Sequence, residues 1–353
     1  MIHPIPSGTR DVLPDETREV RAITDTLRGV FERHGYGEVY TPALEYESVL
    51  ARAGAGAQGA GSTEARPAYR VFDESGAVLV LRSDMTVPIA RVVATRYASS
   101  APPLRFCYFA HCYRGVRPQR GQPRELLQAG IELVGSPAPQ GTVEALTVLC
   151  HSLDATGLKD YRIGLGDASL FPALMASLQV AEEARPGLLQ ALVRRDFVGL
   201  ERALADSGLA GEAAELLLTV PQRRGGPEVL ADIPALADEA ITGLRGVHEQ
   251  LEPGVAERVL FDLGLVRNIG YYTGAVFEVY DPALGAPIGG GGRYDELLAR
   301  FGRSLPAVGF ALGVDRLHIA LAGEERGTGA LLARGEGSSL DGGLPQGAGE
   351  LAT

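Results

Sequence analysis

Along residues 16–34 the apolar side chains return every three or four positions, at Val20, Ile23, Leu27, Val30 and Phe31, the spacing that lays one stripe of a helix against a core. Asp15 stands where an N-cap belongs and Gly35 where a stop belongs, so a helix is expected over this span. The period then shortens. GYGEVYTPALE reads as a strand ending at Pro42, and VLVLRSDMT and PLRFCYFAHCYRG read as further strands. In LQAGIELVG the polar Gln128 and Glu132 alternate with Ala129, Ile131 and Leu133, so a period of two places Gln128 and Glu132 on one face of their strand. A helix is expected next, around Gly141 to Ala155.

Residues 51–67, ARAGAGAQGAGSTEARP, are rich in Gly and Ala without a period, which reads as a loop. Between 167 and 251 helical spacing returns, in Phe171, Leu174 and Leu178, in Leu200 and Leu204, and in Leu236, Ala240, Leu244, Val247 and Leu251. Strands resume in ERVLFDLGLV, YYTGAVFEVYDP, GGGGRYD and AVGFALG. The expected fold class is therefore α+β, an antiparallel sheet flanked by helices and split in sequence by an inserted helical block. The division that follows is a first half over 1–167, a helical insert over 168–252 and a second half over 253–322. A tail over 323–353, too poor in periodic apolar residues to offset the entropy of ordering, is expected to be disordered.

With 353 residues, 45% of them hydrophobic, the chain has ample core for a globular fold. Its net charge of -11 argues against a surface built to neutralise many phosphates. One basic segment stands out: Arg114, Arg117, Arg120 and Arg124 crowd around the turn formers Pro118, Gly121 and Pro123, a loop that can fold over an anion. No apolar run of membrane-spanning length and no signal peptide appears, so a cytoplasmic location is expected. Three cysteines, Cys107, Cys112 and Cys150, form no CxxC pair, which points to reduced thiols. The six histidines are scattered, and neither HExxH nor a nucleophile elbow occurs, so no metal and no cofactor are expected. GGGG at 289–292 lacks a following GK[ST] and reads as a turn where backbone approaches a ligand closely.

The segment YRGVRPQRGQPRELLQAGIELVG at 113–135 and AVGFALGVDRL at 307–317 resemble motifs 2 and 3 of class II aminoacyl-tRNA synthetases. LVRNIGYYTGAVFE at 265–278 and GGGGRYDELL at 289–298 resemble the histidine-specific motifs of histidyl-tRNA synthetase. The similarity runs in the correct order from about Pro6 to Leu321, and the helix and strand up to Pro42 correspond to motif 1, whose usual role is a dimer interface. What the resemblance implies is a pocket for histidine. Asp84 and Thr86 would receive the ammonium, Arg267 would face the carboxylate, and Glu132 with Tyr272 would address the imidazole. Gln128 and Tyr294 would complete the wall, with Arg114 and Tyr271 in the same set. Asp84 is one methylene shorter than the usual glutamate, and Gly270 stands where an aspartate commonly precedes the paired tyrosines.

Adenylation makes sharper demands. By the same resemblance Arg114 would meet the α-phosphate of ATP and Arg316 the γ-phosphate, but the adenine-binding glutamate is replaced by Val116 and a basic loop residue by Gln122. A valine accepts no hydrogen bond, and an unpaired buried polar group costs roughly 1 to 3 kcal/mol. Only 32 residues follow Leu321, where synthetases of this kind carry an anticodon-binding domain, so that domain is expected to be absent. Taken together the chain resembles the paralogous family of ATP phosphoribosyltransferase regulatory subunits. That resemblance implies no catalysis of its own, a short-form catalytic subunit as partner, histidine as feedback effector, a homodimer within a hetero-oligomer, and no membrane or tRNA partner. The alternatives are a truncated histidyl-tRNA synthetase-like enzyme forming histidyl-adenylate, and a binding module for a different amino acid.

Overall fold

Pro14, whose fixed φ suits a first helical turn and whose missing N–H would be unpaired there anyway, opens α1 (Pro14–Arg33). The computed structural model describes residues 5–54, 68–115, 123–231, 233, 237–266 and 270–325. Asp15 is not the N-cap expected for it; Leu13 holds that position, and Asp15 lies in the first turn, where a carboxylate suits the positive end of the helix. Ile23, Leu27, Val30 and Phe31 are buried, and Gly35, at φ +80°, lets the chain leave the helix.

The chain continues through β1 (Gly37–Glu38), β2 (Leu44–Tyr46), α2 (Glu47–Arg52), β3 (Arg70–Phe72), β4 (Val78–Leu81) and α3 (Thr86–Thr95). Next come β5 (Leu104–Tyr113), β6 (Glu125–Val134), α4 (Gln140–Thr156) and β7 (Arg162–Asp167). The stretch after β7 holds α5 (Leu170–Ser177), α6 (Arg185–Val193), α7 (Phe197–Asp206), α8 (Glu212–Thr219), β8 (Arg224–Gly225) and α9 (Asp238–Glu249). It is followed by α10 (Pro253–Ala256), β9 (Val259–Asp262), β10 (Ala275–Tyr280), β11 (Gly289–Arg293), β12 (Ala307–Gly313) and α11 (Val314–Glu325).

Among the described residues these strands make a nine-stranded sheet in the order β1-β5-β6-β12-β11-β10-β7-β9-β8 and a three-stranded sheet β2-β4-β3. From β5 to β7 every pairing is antiparallel, as expected; β1 joins β5 and β9 joins β7 in parallel. Strands on either side of the 168–252 stretch thus close one sheet, and β8 adds an edge strand that helical periodicity does not reveal. Two apolar layers cover the sheet. Ala129, Ile131 and Leu133 face the larger, with Leu27 and Phe31 of α1 and Leu146 and Leu149 of α4. The smaller holds Val87, Ile89 and Val93 of α3 with Tyr108, Tyr271 and Tyr294.

Three expectations are corrected. The single strand expected up to Pro42 is a two-residue pairing in the large sheet followed by β2 in the small one, with Tyr40 between them exposed. GGGG is not a turn but part of β11, paired on both sides. The expected tail begins too early, since α11 runs to Glu325; residues 326–353, and residues 55–67 of the expected loop, lie outside the described residues. Cys107, Cys112 and Cys150 are buried and unpaired. Among the described residues no helix is long and apolar enough to cross a membrane.

Candidate functional site

Glu132 is buried toward the end of β6, on the face turned away from the larger core. Both of its oxygens are engaged: Thr86 Oγ1 donates to Oε1 at 2.7 Å, and the Tyr294 hydroxyl donates to Oε2. The neighbouring strand makes this geometry sterically allowed. Gly309 on β12 sits directly across from Glu132, and a β-carbon there would lie 1.9 Å from Oε2. Burial pushes the Glu132 carboxyl up to about 8; the Tyr294 and Thr86 hydroxyls pull it down, and the charge of Asp84 raises it further. No cation neutralises it among these partners, so Glu132 keeps a proton at neutral pH.

The pocket is assembled from four separated stretches. Thr86 is the first residue of α3, and Asp84 just ahead of it accepts from the Val87 backbone N–H at 3.2 Å. Tyr294 follows β11, and its ring meets Tyr271 edge-on with centroids 5.8 Å apart; Tyr271 in turn meets Tyr272 at 5.2 Å. The Tyr271 hydroxyl is pushed well up by burial and by the nearby charge of Asp84, which places it beside Asp84 and Thr86. Gln128 lies two pleats along β6 from Glu132, and its buried Oε1 has no hydrogen-bond partner among the described residues. A buried acceptor without a partner, on the same strand face as a buried acid that two hydroxyls engage, makes this face suited to a polar ligand.

A second pair of groups lies alongside. Arg114 Nε donates to the Ser83 carbonyl at 3.3 Å, which ties the end of β5 to the stretch carrying Asp84. Arg316 on α11 donates to the Pro287 carbonyl. Its guanidinium is pushed down by burial first and then by the positive charge of Arg114, with Glu278 opposing. The charge of Arg114 thus bears on Arg316, and a bound anion would offset it.

A family model described as Histidyl-tRNA synthetase matches residues 8–317. The ATP phosphoribosyltransferase regulatory subunit of Symbiobacterium thermophilum is 45% identical over 321 residues, covering 90% of this chain and 79% of that one. The protein of the same name from Moorella thermoacetica is 41% identical over 323 residues, 90% of this chain and 81% of its own. The chain belongs to the family of ATP phosphoribosyltransferase regulatory subunits. Among solved structures, an ATP phosphoribosyltransferase regulatory subunit/histidyl-tRNA synthetase from Bacillus halodurans C superposes with a TM-score of 0.82 at 31% identity, covering 95% of this chain and 90% of that one. A histidine–tRNA ligase subunit from Alicyclobacillus acidocaldarius gives 0.75 at 30% identity, over 92% and 99% of the two chains.

Within this regulatory-subunit fold, Asp84, Thr86, Gln128, Glu132, Tyr271, Tyr272 and Tyr294 line one side of the sheet, with Arg114 and Arg316 next to them. Arg267, Val116 and Gln122 lie outside the described residues. Tyr294 is the tyrosine bonded to Glu132, whereas the Tyr272 ring lies over Gly292. Three positioning residues carry no sequence signal that periodicity reads. Arg82 is buried and donates to the carbonyls of His111 at 2.8 Å and Thr41 at 2.7 Å, fixing the stretch that presents Asp84. Arg293 is buried and forks onto Asp295, at 2.8 and 3.2 Å, so the residues on either side of Tyr294 hold it in place. Tyr108 crosses above Gly130 to the Phe310 carbonyl, 3.5 Å away, and walls the pocket from the β5 side. The RxD spacing around Tyr294 was the available clue for the second of these.

Proposed function

We propose that this chain is a non-catalytic regulatory subunit that senses free histidine in the Glu132 pocket and is required by a short-form ATP phosphoribosyltransferase catalytic subunit in the cytoplasm. The observation that supports it most is the closed polar set of Glu132, Thr86 and Tyr294, kept in a chain whose curated relatives carry the regulatory-subunit name. Histidine offers an ammonium, a carboxylate and an imidazole, and the pocket supplies Asp84 and Thr86 for the first and Glu132, Tyr272 and Tyr294 for the last, with Gln128 and Tyr271 as wall. Arg267, by its place in LVRNIGYY, would face the carboxylate. Occupancy shifts the complex by the difference in histidine affinity between its active and inhibited states.

Arg267→Ala tests the assignment. Truncating one member of a desolvated charge pair costs roughly 2 to 5 kcal/mol, so histidine binding followed by calorimetry should weaken at least about thirtyfold. Unchanged affinity would move the effector elsewhere. The second reading, an adenylate-forming enzyme, is favoured by the placement of Arg114 beside Arg316 and opposed by Val116 and Gln122 in the motif 2 segment. Histidine-dependent exchange of pyrophosphate into ATP separates the two: the regulatory reading expects none above background, and exchange lost on Arg114→Ala would establish the enzyme.

A further inference from the structure

A second cavity, about 310 Å³, opens between the stretch following β7 and the sheet, and Arg195, Arg224, Leu265, Glu278, Tyr280 and Pro287 are among its walls. Behind the two arginines lies Asp262, 2% exposed at the end of β9 and directly across from Arg224 of β8. Gly164 of β7 leaves room for it: a β-carbon there would stand 3.6 Å from the Asp262 β-carbon and 3.3 Å from the Tyr280 ring. Asp262 Oδ2 accepts from Arg195 at 3.2 Å and also from Arg224, while Oδ1 accepts from the Gly264 N–H at 3.1 Å.

The buried Asp262 carboxylate meets two guanidinium groups, with the Glu278 carboxylate on the cavity wall. Each guanidinium is about half exposed, at 49% and 47%, and among the described residues each makes this one side-chain hydrogen bond, to the same oxygen. A guanidinium carries five N–H donors, so most of the donors of both remain for whatever fills the cavity. Arg195 reaches this position at φ 53°, in the left-handed region that a side chain with a β-carbon seldom adopts. It is the left-handed turn that ends α6, where the Asp196 N–H reaches back to the Ala191 carbonyl at 2.9 Å. Across from the arginines, the Tyr280 hydroxyl donates to Glu278 at 2.6 Å, and Leu192, Val193 and Leu265 give the cavity an apolar side.

We propose that Arg195 and Arg224 form a binding site for the oxyanion group, phosphate or carboxylate, of a small metabolite with an apolar body. None of Asp84, Thr86, Gln128, Glu132 and Tyr294 lines this cavity, although its walls Glu278 and Pro287 adjoin Arg316, and the proposal does not depend on the regulatory reading. Two charge-assisted guanidinium contacts from different elements give it its affinity, and because Arg195 lies between α6 and α7 while Arg224 and Asp262 lie on the sheet, a bound anion fastens the helices to the sheet edge.

Calorimetry on the full chain with inorganic phosphate and with succinate tests this. The expected result is saturable binding of at least one probe, weakened about tenfold or more in Arg195→Gly and in Arg224→Gln, with histidine binding unchanged. Phosphate alone would identify a phosphorylated ligand, and succinate alone a carboxylate. Glycine is chosen at 195 because it adopts the same φ without strain, so that variant decides the matter even where Arg224→Gln fails to fold. No saturable binding of either probe would overturn the proposal. So would binding that survives Arg195→Gly but vanishes in Arg316→Gln, which would place the anion at the other arginine pair.

Discussion

Glu132 holds a proton in the folded chain that it releases in the unfolded one, because burial raises its carboxyl from an ordinary 4.5 to about 8. Between those two values the native state binds more protons, so stability falls as pH rises through the window, by up to about 1.4 kcal/mol per pH unit from this group. Glu132→Gln keeps the shape and stays neutral. Its melting temperature, relative to the unaltered chain, should therefore climb from pH 5 to pH 8; a constant difference across that range would mean that Glu132 is ionised in the native pocket. At this scale the sequence showed which strand face carries Gln128 and Glu132, since alternation is a local property. It did not show that Tyr294 bonds the acid, nor that Arg82, Arg293 and Tyr108 hold the walls, because those contacts join residues from separate strands and turns.

Helix α11 ends against the body of the molecule through one carboxylate, Glu324, which accepts from the N–H groups of Lys159 and Asp160 at 3.1 and 2.8 Å. Next to it Asp281 is buried, with Oδ1 taking the Ala283 N–H at 2.8 Å and Oδ2 meeting no donor among the described residues; burial, against the Ala283 N–H, and then the charge and carboxyl contact of the adjoining Glu324 push its carboxyl up. Replacing Asp281 by Asn keeps the acceptor and adds a donor where like charges now face each other. Asp281→Asn should stabilise the chain by about 1 kcal/mol, read as a higher melting temperature at pH 8, and a lower one would show that the Asp281 carboxylate is needed as it is. Most long elements were legible, as in α1, α4, β6, β10 and β12, where apolar spacing runs unbroken for several turns or pleats. The short ones were not. Two-residue β1 and β8 exist only through their partners β5 and β9, whereas β11, read both as a strand in GGGGRYD and as a turn of glycines, is a strand paired on both sides.

On the whole molecule one surface asks for a cover. Alternation and register put Leu44, Tyr46, Val71, Leu79 and Leu81 on one face of the small sheet, and Leu44, Tyr46 and Val71 are exposed at 40%, 52% and 43%. Contiguous exposed apolar side chains mark an association surface, and this one lies close to Pro42, where the regulatory reading places a homodimer contact. Tyr46→Asp should leave the chain folded but shift it toward monomer in sedimentation velocity; a monomeric unaltered chain would remove the homodimer from the account. The direct measurement is phosphoribosyl transfer by a short-form catalytic subunit, with and without this chain, over a histidine titration. The account predicts that the chain switches the reaction on, that histidine then suppresses it, and that Glu132→Gln still activates but needs more histidine for the same inhibition. Full turnover by the catalytic subunit alone, or inhibition by histidine that is unchanged in Glu132→Gln, would contradict it.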